Sequence, residues 1–276
     1  TCLLAGELTR DAIFDCLRKR RHFATTGNRL QLDVAVRSEG KMSRWSRDPA
    51  VYDEAVKSEV VEAEMGDIVS CDSSAATLSV SVEASSPIEK IEIRNGSAVV
   101  ATLRPYGAEE VGNRIRVLMS GAERRGKGSR ARWKGEARLN GASILAFAPI
   151  SAWNSELPCE AVDDHTVAFE ARTAGNMMGF DLLVDEGPDA RLKIETGNGK
   201  LDLALAGVGY DEQIFDMGGL KRQLRILRLP ETNPHLSFQT ECAVSLDETR
   251  DNPLWVCVTT EDGHQAWSSP VYVIDA

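Results

Sequence analysis

With 276 residues, 42% of them apolar and 27% charged, the chain can bury a large core as one big domain or two of ordinary size, and global disorder is excluded. Its net charge of −10 speaks against nucleic acid and anionic lipid as partners, because both are held by clustered Lys and Arg. No apolar run approaches the roughly 18–20 residues of a membrane-crossing helix; the longest, Ile144 to Ile150, contains Pro149.

The opening, Thr1 to Gly6, lacks the basic segment of a signal peptide and reads as the interior of a longer polypeptide. A helix follows. Thr9 caps it, Asp11 puts negative charge in its first turn, and Ala12, Ile13, Cys16 and Leu17 form its apolar stripe. Arg18 to Arg21 place positive charge at its end, where the helix dipole favours it. Ala24-Thr25-Thr26-Gly27 breaks the period.

From there the apolar period changes to two. Leu30, Leu32, Val34 and Val36 alternate with polar or small residues, as do Leu78, Val80 and Val82, then Ile91 and Ile93, Ile115, Val117 and Met119, and Leu201, Leu203 and Leu205. Residues two apart share one face of a strand, so each run is half-buried sheet. Asn95-Gly96, Asn140-Gly141, Asn198-Gly199 and Asp262-Gly263 lie between such runs and tolerate the positive φ of tight hairpins. The expected fold is therefore mainly β: an antiparallel, immunoglobulin-like β-sandwich, one elaborated or two packed. Residues 37–62 are polar and read as an inserted loop with a short helix after Asp48-Pro49, and a sub-boundary is expected near 149–158.

Catalytic motifs are missing. No G-x-S-x-G, phosphate loop, dinucleotide fingerprint or H-E-x-x-H occurs, and the four histidines have no metal-ligand spacing. Two acid-plus-His clusters, Asp163-Asp164-His165 and Asp262-Gly263-His264, are the metal candidates; both also read as ordinary turns. The six cysteines form no C-x-x-C pair, and the chain is too large to need stapling, which points to a reducing, cytoplasmic setting. Of five tryptophans, Trp133 and Trp255 read as core, while Trp45 and Trp153 are the surface positions that a sugar platform would use.

Glu7 to Leu17, followed by Arg20-Arg21-His22-Phe23-Ala24-Thr25-Thr26-Gly27-Asn28-Arg29, resembles the end of the PHP-type (polymerase and histidinol phosphatase) domain of a large uncharacterised bacterial family in which that domain precedes a β-sandwich. Trp255 to Val273 resembles the family's closing strands, and Met65-Gly66-Asp67 and Ile88 to Ile93 its intermediate landmarks; residues 140–250 match loosely, and 37–62 look like an insertion. The resemblance implies residues 1–29 as the last helix and loop of an α/β phosphoesterase-like domain and 30–276 as sandwich. It implies divalent metal ions in that N-terminal domain and none in this chain, since the H-x-H and D-x-H ligand motifs have no counterpart here. It further implies that domain of the same protein as partner, with Thr25, Thr26 and Gly27 at the edge of its substrate site. The expected function is non-catalytic: stabilising or shaping the catalytic domain. The alternative is a carbohydrate- or protein-binding sandwich.

Overall fold

In the computed structural model, which describes residues 1–152 and 154–274, the period-two segments become strands with alternating burial. In Leu30–Arg37, Leu32, Val34 and Val36 point inward while Gln31 and Asp33 face solvent. In Ala75–Ala84, Ala76, Leu78, Val80 and Val82 are buried, and the two strands pair antiparallel with Val34 opposite Val80. The sequence bonds as antiparallel sheet because this register puts both apolar sets on one face; a slip of one residue would turn them all to water.

The chain divides into two units, Thr1–Pro105 with Pro234–Ala276, and Tyr106–Asn233. The first is a sandwich. A four-stranded sheet runs Ser237–Ser245, Ala75–Ala84, Leu30–Arg37, Ala63–Glu64. A ten-stranded sheet holds Ile88–Asn95, Asn252–Thr260, Gln265–Ser268 and His22–Thr25 side by side, and continues through Val271–Val273 to Ile68–Cys71, Met42–Trp45 and Lys57–Val60. Leu32 and Leu78 from one sheet and Ile91, Ile93, Val256 and Val258 from the other meet in one core, all at 0% exposure. Each such side chain contributes about 1.5–3 kcal/mol when fully buried.

The second unit is one eight-stranded antiparallel sheet with its own core around Trp133, Phe169, Phe180 and Leu192. Its two longest strands, Ala131–Ile150 and Met177–Thr196, pair along their length with register shifts at Asn140/Ala142 and Ile144/Ala146. Residues 149–158, expected as a boundary, lie inside this unit and lead from the strand Ala131–Ile150 to Cys159–Asp163; the divisions fall at 105/106 and 233/234.

The N-terminal helix is Arg10–Arg18, capped by Thr9 Oγ, which accepts from Ala12 N at 3.3 Å. Three local expectations need correction. Residues 37–62 carry two paired strands, Met42–Trp45 and Lys57–Val60, and no helix. Asp48 holds a single turn there, its side chain accepting from Ala50 N at 2.9 Å, and the period after Tyr52 is too short to extend it. Asn140-Gly141 marks a bulge within a strand, Gly141 taking φ 71°, instead of a hairpin. Leu17, placed in the helix's packed stripe, is 47% exposed.

Candidate functional site

The first unit brings together two segments that sequence reading had kept apart. The strand His22–Thr25 pairs with Gln265–Ser268, Thr25 opposite Ala266. That pairing sets Thr26 Oγ1 3.0 Å from His264 Nδ1 and lets it accept from Gln265 N at 2.9 Å. Gly27 has φ 139°, a conformation that strains other residues, and a Cβ there would stand a tight 3.1 Å from the imidazole, so both backbone and ring favour glycine. Asp262 accepts the Ser86 and Thr260 hydroxyls at 2.6 Å each and His264 N at 3.2 Å. Asn28 extends the network, donating to Thr260 Oγ1 at 3.0 Å and accepting from Ser85 at 2.6 Å.

Burial pushes the Asp262 carboxyl up, but the hydroxyls of Ser86 and Thr260 and the His264 amide outweigh it and hold the group below the usual carboxylate range. Both carboxylate oxygens are thus committed to protein donors. The network binds the first strands to the hairpin Asn252–Thr260/Gln265–Ser268.

Asp163, Asp164 and His165 belong to the second unit, in the turn between Cys159–Asp163 and Thr166–Thr173. Asp163 accepts from His165 N at 2.8 Å, a bond that lowers its carboxyl's pKa, and His165 Nδ1 lies 2.8 Å from Ala142 O. Among the described residues no group of three His, Cys, Asp or Glu side chains converges in either cluster. Burial, with Glu92 adding, pushes the Cys257 thiol up to about 12, and burial with Glu160 pushes Cys159 up to about 11, so both stay protonated near neutrality.

The tryptophans form no common platform among the described residues. Trp133 is fully buried, its Nε1 donating to Thr173 Oγ1 at 3.0 Å. Trp255 donates to Gly96 O at 2.8 Å and carries Arg94 over its ring at 5.2 Å. Trp45 is half-buried beneath Lys57, whose Nζ stands 4.5 Å from the ring centroid. Trp153 lies outside the described residues.

The helix is fastened to the sandwich at its C-terminal end. Cys16 Sγ donates to Leu4 O at 2.9 Å, and beyond the helix Arg20 turns back in a left-handed conformation, φ 57°. Arg20 Nε donates to Gly66 O at 2.9 Å; Arg21 reaches Met65 O at 3.2 Å, Asp67 Oδ1 at 2.9 Å and Glu64 at 2.6 Å. Gly66, at φ 91°, permits the approach, for a Cβ would sit 2.2 Å from Lys19 O. On the outer side Leu8, Phe14 and Leu17 are 92%, 55% and 47% exposed.

Two hollows flank the helix. One, about 940 Å³, lies against the four-stranded sheet and includes Asp15, Asp33, Glu62, Glu64 and Glu241 among its walls. The other, about 770 Å³, opens between the helix end and the hairpin Met42–Trp45/Lys57–Val60, and Arg18, Lys19, Arg20, Arg21, Arg44 and Arg47 line it. Sequence reading assigned the run 18–21 to the helix dipole and treated 37–62 as loop, so it missed this convergence. The signal available was Arg44-Trp45-Ser46-Arg47, basic and aromatic residues interleaved. Comparison with protein-family models, with curated proteins and with solved structures finds no match to this chain.

Proposed function

We propose that this chain is a non-catalytic β-sandwich region that presents the helix Arg10–Arg18 to a PHP-like phosphoesterase domain of the same protein and shapes the edge of that domain's site with Thr25, Thr26 and Gly27. One observation carries the reading: the helix is clamped to the sandwich through Arg20, Arg21 and Gly66, yet turns Phe14 and Leu17 outward. Phe14 and Leu17 are about half exposed, so covering them fully would add roughly 1 kcal/mol each, which a neighbouring domain would recover. The resemblance of residues 7–29 to the end of a PHP-type domain supplies that neighbour's identity. The site-edge role of Thr25 to Gly27 draws support from their fixed geometry, with Thr26 and Gly27 both seated against His264. Divalent metal ions and hydrolysis belong, in this reading, to the neighbour.

Two measurements test it. The purified chain, supplied with Mn²⁺, Mg²⁺ or Zn²⁺, is expected to leave p-nitrophenyl phosphate intact; metal-dependent turnover that persists through repurification would overturn the non-catalytic assignment. In the longer polypeptide that the reading requires, Phe14→Asp with Leu17→Asp is expected to lower the catalytic domain's Tm while leaving the isolated chain's Tm unchanged. An unchanged Tm in both would remove the platform.

A further inference from the structure

We infer that the basic cleft between the helix end and the hairpin Met42–Trp45/Lys57–Val60 binds a small, multiply charged phosphate compound of the diphosphate class. Three segments distant in sequence build it: the helix end supplies Arg18 to Arg21, the hairpin supplies Arg44 and Arg47, and the turn after Ala63–Glu64 supplies Gly66 and Asp67. Six cations face three carboxylates, Asp15, Asp48 and Asp67. Those carboxylates have other work. Asp15 pairs with Lys19 at 2.7 Å, Asp67 holds Arg21 at 2.9 Å and lies 3.7 Å from Arg44, and Asp48 accepts the Ala50 amide at 2.9 Å.

Arg18, Arg20 and Arg47 have no carboxylate partner among the described residues. Their guanidinium groups rest instead on aromatic rings: Arg18 on Phe14 at 4.7 Å, Arg20 on Tyr272 at 5.7 Å and Arg47 on Tyr52 at 5.3 Å. Stacking fixes a guanidinium plane while leaving edge N–H donors available to oxygen; in Arg20 these are the Nη groups, since its Nε is held by Gly66 O. Trp45 lines the same cleft, and its buried Nε1 lacks an acceptor among the described residues. The chain as a whole is strongly acidic, so this concentration of unneutralised Arg is a local feature of the folded hairpin and helix.

Several stacked, donor-rich guanidiniums match an anion with more than one phosphoryl group, because each group can take two parallel N–H···O bonds. A single phosphate would engage one or two of them. The volume of about 770 Å³ lies within the range of small-molecule sites. A soluble diphosphate and a lipid diphosphate headgroup share this chemistry. The concave, hairpin-walled shape favours the soluble form.

The test is calorimetric titration of the full chain with inorganic pyrophosphate, inorganic phosphate and sulfate at low salt. Pyrophosphate is expected to bind saturably and at least about tenfold more tightly than phosphate or sulfate. Arg18→Ala with Arg47→Ala, both on the surface and outside the Arg20–Arg21 clamp, is expected to weaken pyrophosphate at least about tenfold. Arg124→Ala with Arg125→Ala, in the exposed basic loop of the other unit, is expected to leave it unchanged. Quenching of tryptophan fluorescence by pyrophosphate that disappears in Trp45→Phe would place the anion in this cleft. Absence of saturable pyrophosphate binding, or equal weakening by the two double variants, overturns the proposal. Sedimentation of the chain by vesicles containing a phosphoinositide, but not by phosphatidylcholine alone, would overturn the soluble-diphosphate assignment in favour of a headgroup.

Discussion

Thr26 and His264 touch across 238 positions of sequence, Oγ1 to Nδ1 at 3.0 Å, and that contact closes the junction between the strand His22–Thr25 and the hairpin ending in Gln265–Ser268. Thr26→Val removes the partner of both the imidazole and the Gln265 amide. The contacts are exposed, so water takes over part of them, and the loss should be about 0.5–1.5 kcal/mol. Thr26→Ser keeps the hydroxyl and should cost less. Hydrogen exchange at Phe23, Ala24 and Ala266 reads the difference; equal protection in wild type and Thr26→Val would show the contact to be idle.

Asp262 makes the same junction sensitive to acid. Its carboxyl titrates below its ordinary value of about 3.9, so folding favours the ionised form. The unfolded chain therefore takes up the proton first as pH falls. The contribution of Asp262 is complete above about pH 4 and is lost as pH drops through the lower folded value. Urea unfolding of wild type and Asp262→Asn between neutrality and about pH 3 checks the sign: the wild-type advantage should shrink toward acid. An advantage that grows toward acid would contradict it.

Gly66 decides whether the helix is held. An alanine there would place a Cβ 2.2 Å from Lys19 O and 2.6 Å from Arg20 O in a backbone conformation of φ 91°. Gly66→Ala should destabilise by more than about 2 kcal/mol, combining backbone strain with the forced retreat of the helix end. Gly126→Ala, where φ is 101° but nothing stands within 4 Å, isolates the strain and should cost about 1 kcal/mol. Circular dichroism with thermal melting compares them. Equal losses would mean that the close approach carries no weight.

In the second unit, Arg116 lies opposite Asp181 on adjacent strands and makes two hydrogen bonds of 2.8 Å to its carboxylate, with Arg116 only 1% exposed. Asp181→Ala takes two hydrogen bonds and a counter-charge from a buried guanidinium and should cost about 3 kcal/mol. Replacing the pair together, Arg116→Met with Asp181→Leu, should recover most of that loss, since a buried pair is offset by its own desolvation. Exchange protection along Met177–Thr196 in the single and double variants measures both.

Much of the sheet was legible because period-two patterns need only local sequence. Leu32, Val34 and Val36, with Leu78, Val80 and Val82, declared which face is inner, and Asn95-Gly96 marked a true hairpin, Gly96 taking φ 59°. Asn140-Gly141 misled because a bulge and a hairpin make the same demand on backbone φ; what separates them is the partner strand, and that partner, Ala190 to Arg191, is fifty residues away. Residues 42–45 and 57–60 went unread as strands because neither alternates, their one buried side chain being Met42. The meeting of Thr26 with His264, and of Arg18 to Arg21 with Arg44 and Arg47, has no local signature. Only the pairing order of the ten-stranded sheet creates these neighbours.

That Tyr106–Asn233 interrupts the first unit has a consequence for synthesis. A ribosome makes every strand of the interrupting unit before it makes Ser237–Ser245, Asn252–Thr260 or Gln265–Ser268. The interrupting unit, with its own core, can thus mature on the emerging chain, while Leu32, Leu78 and Ile93 wait for Val256 and Val258 to complete their core. Nascent-chain aggregation and chaperone capture should accordingly map to the opening third of the polypeptide.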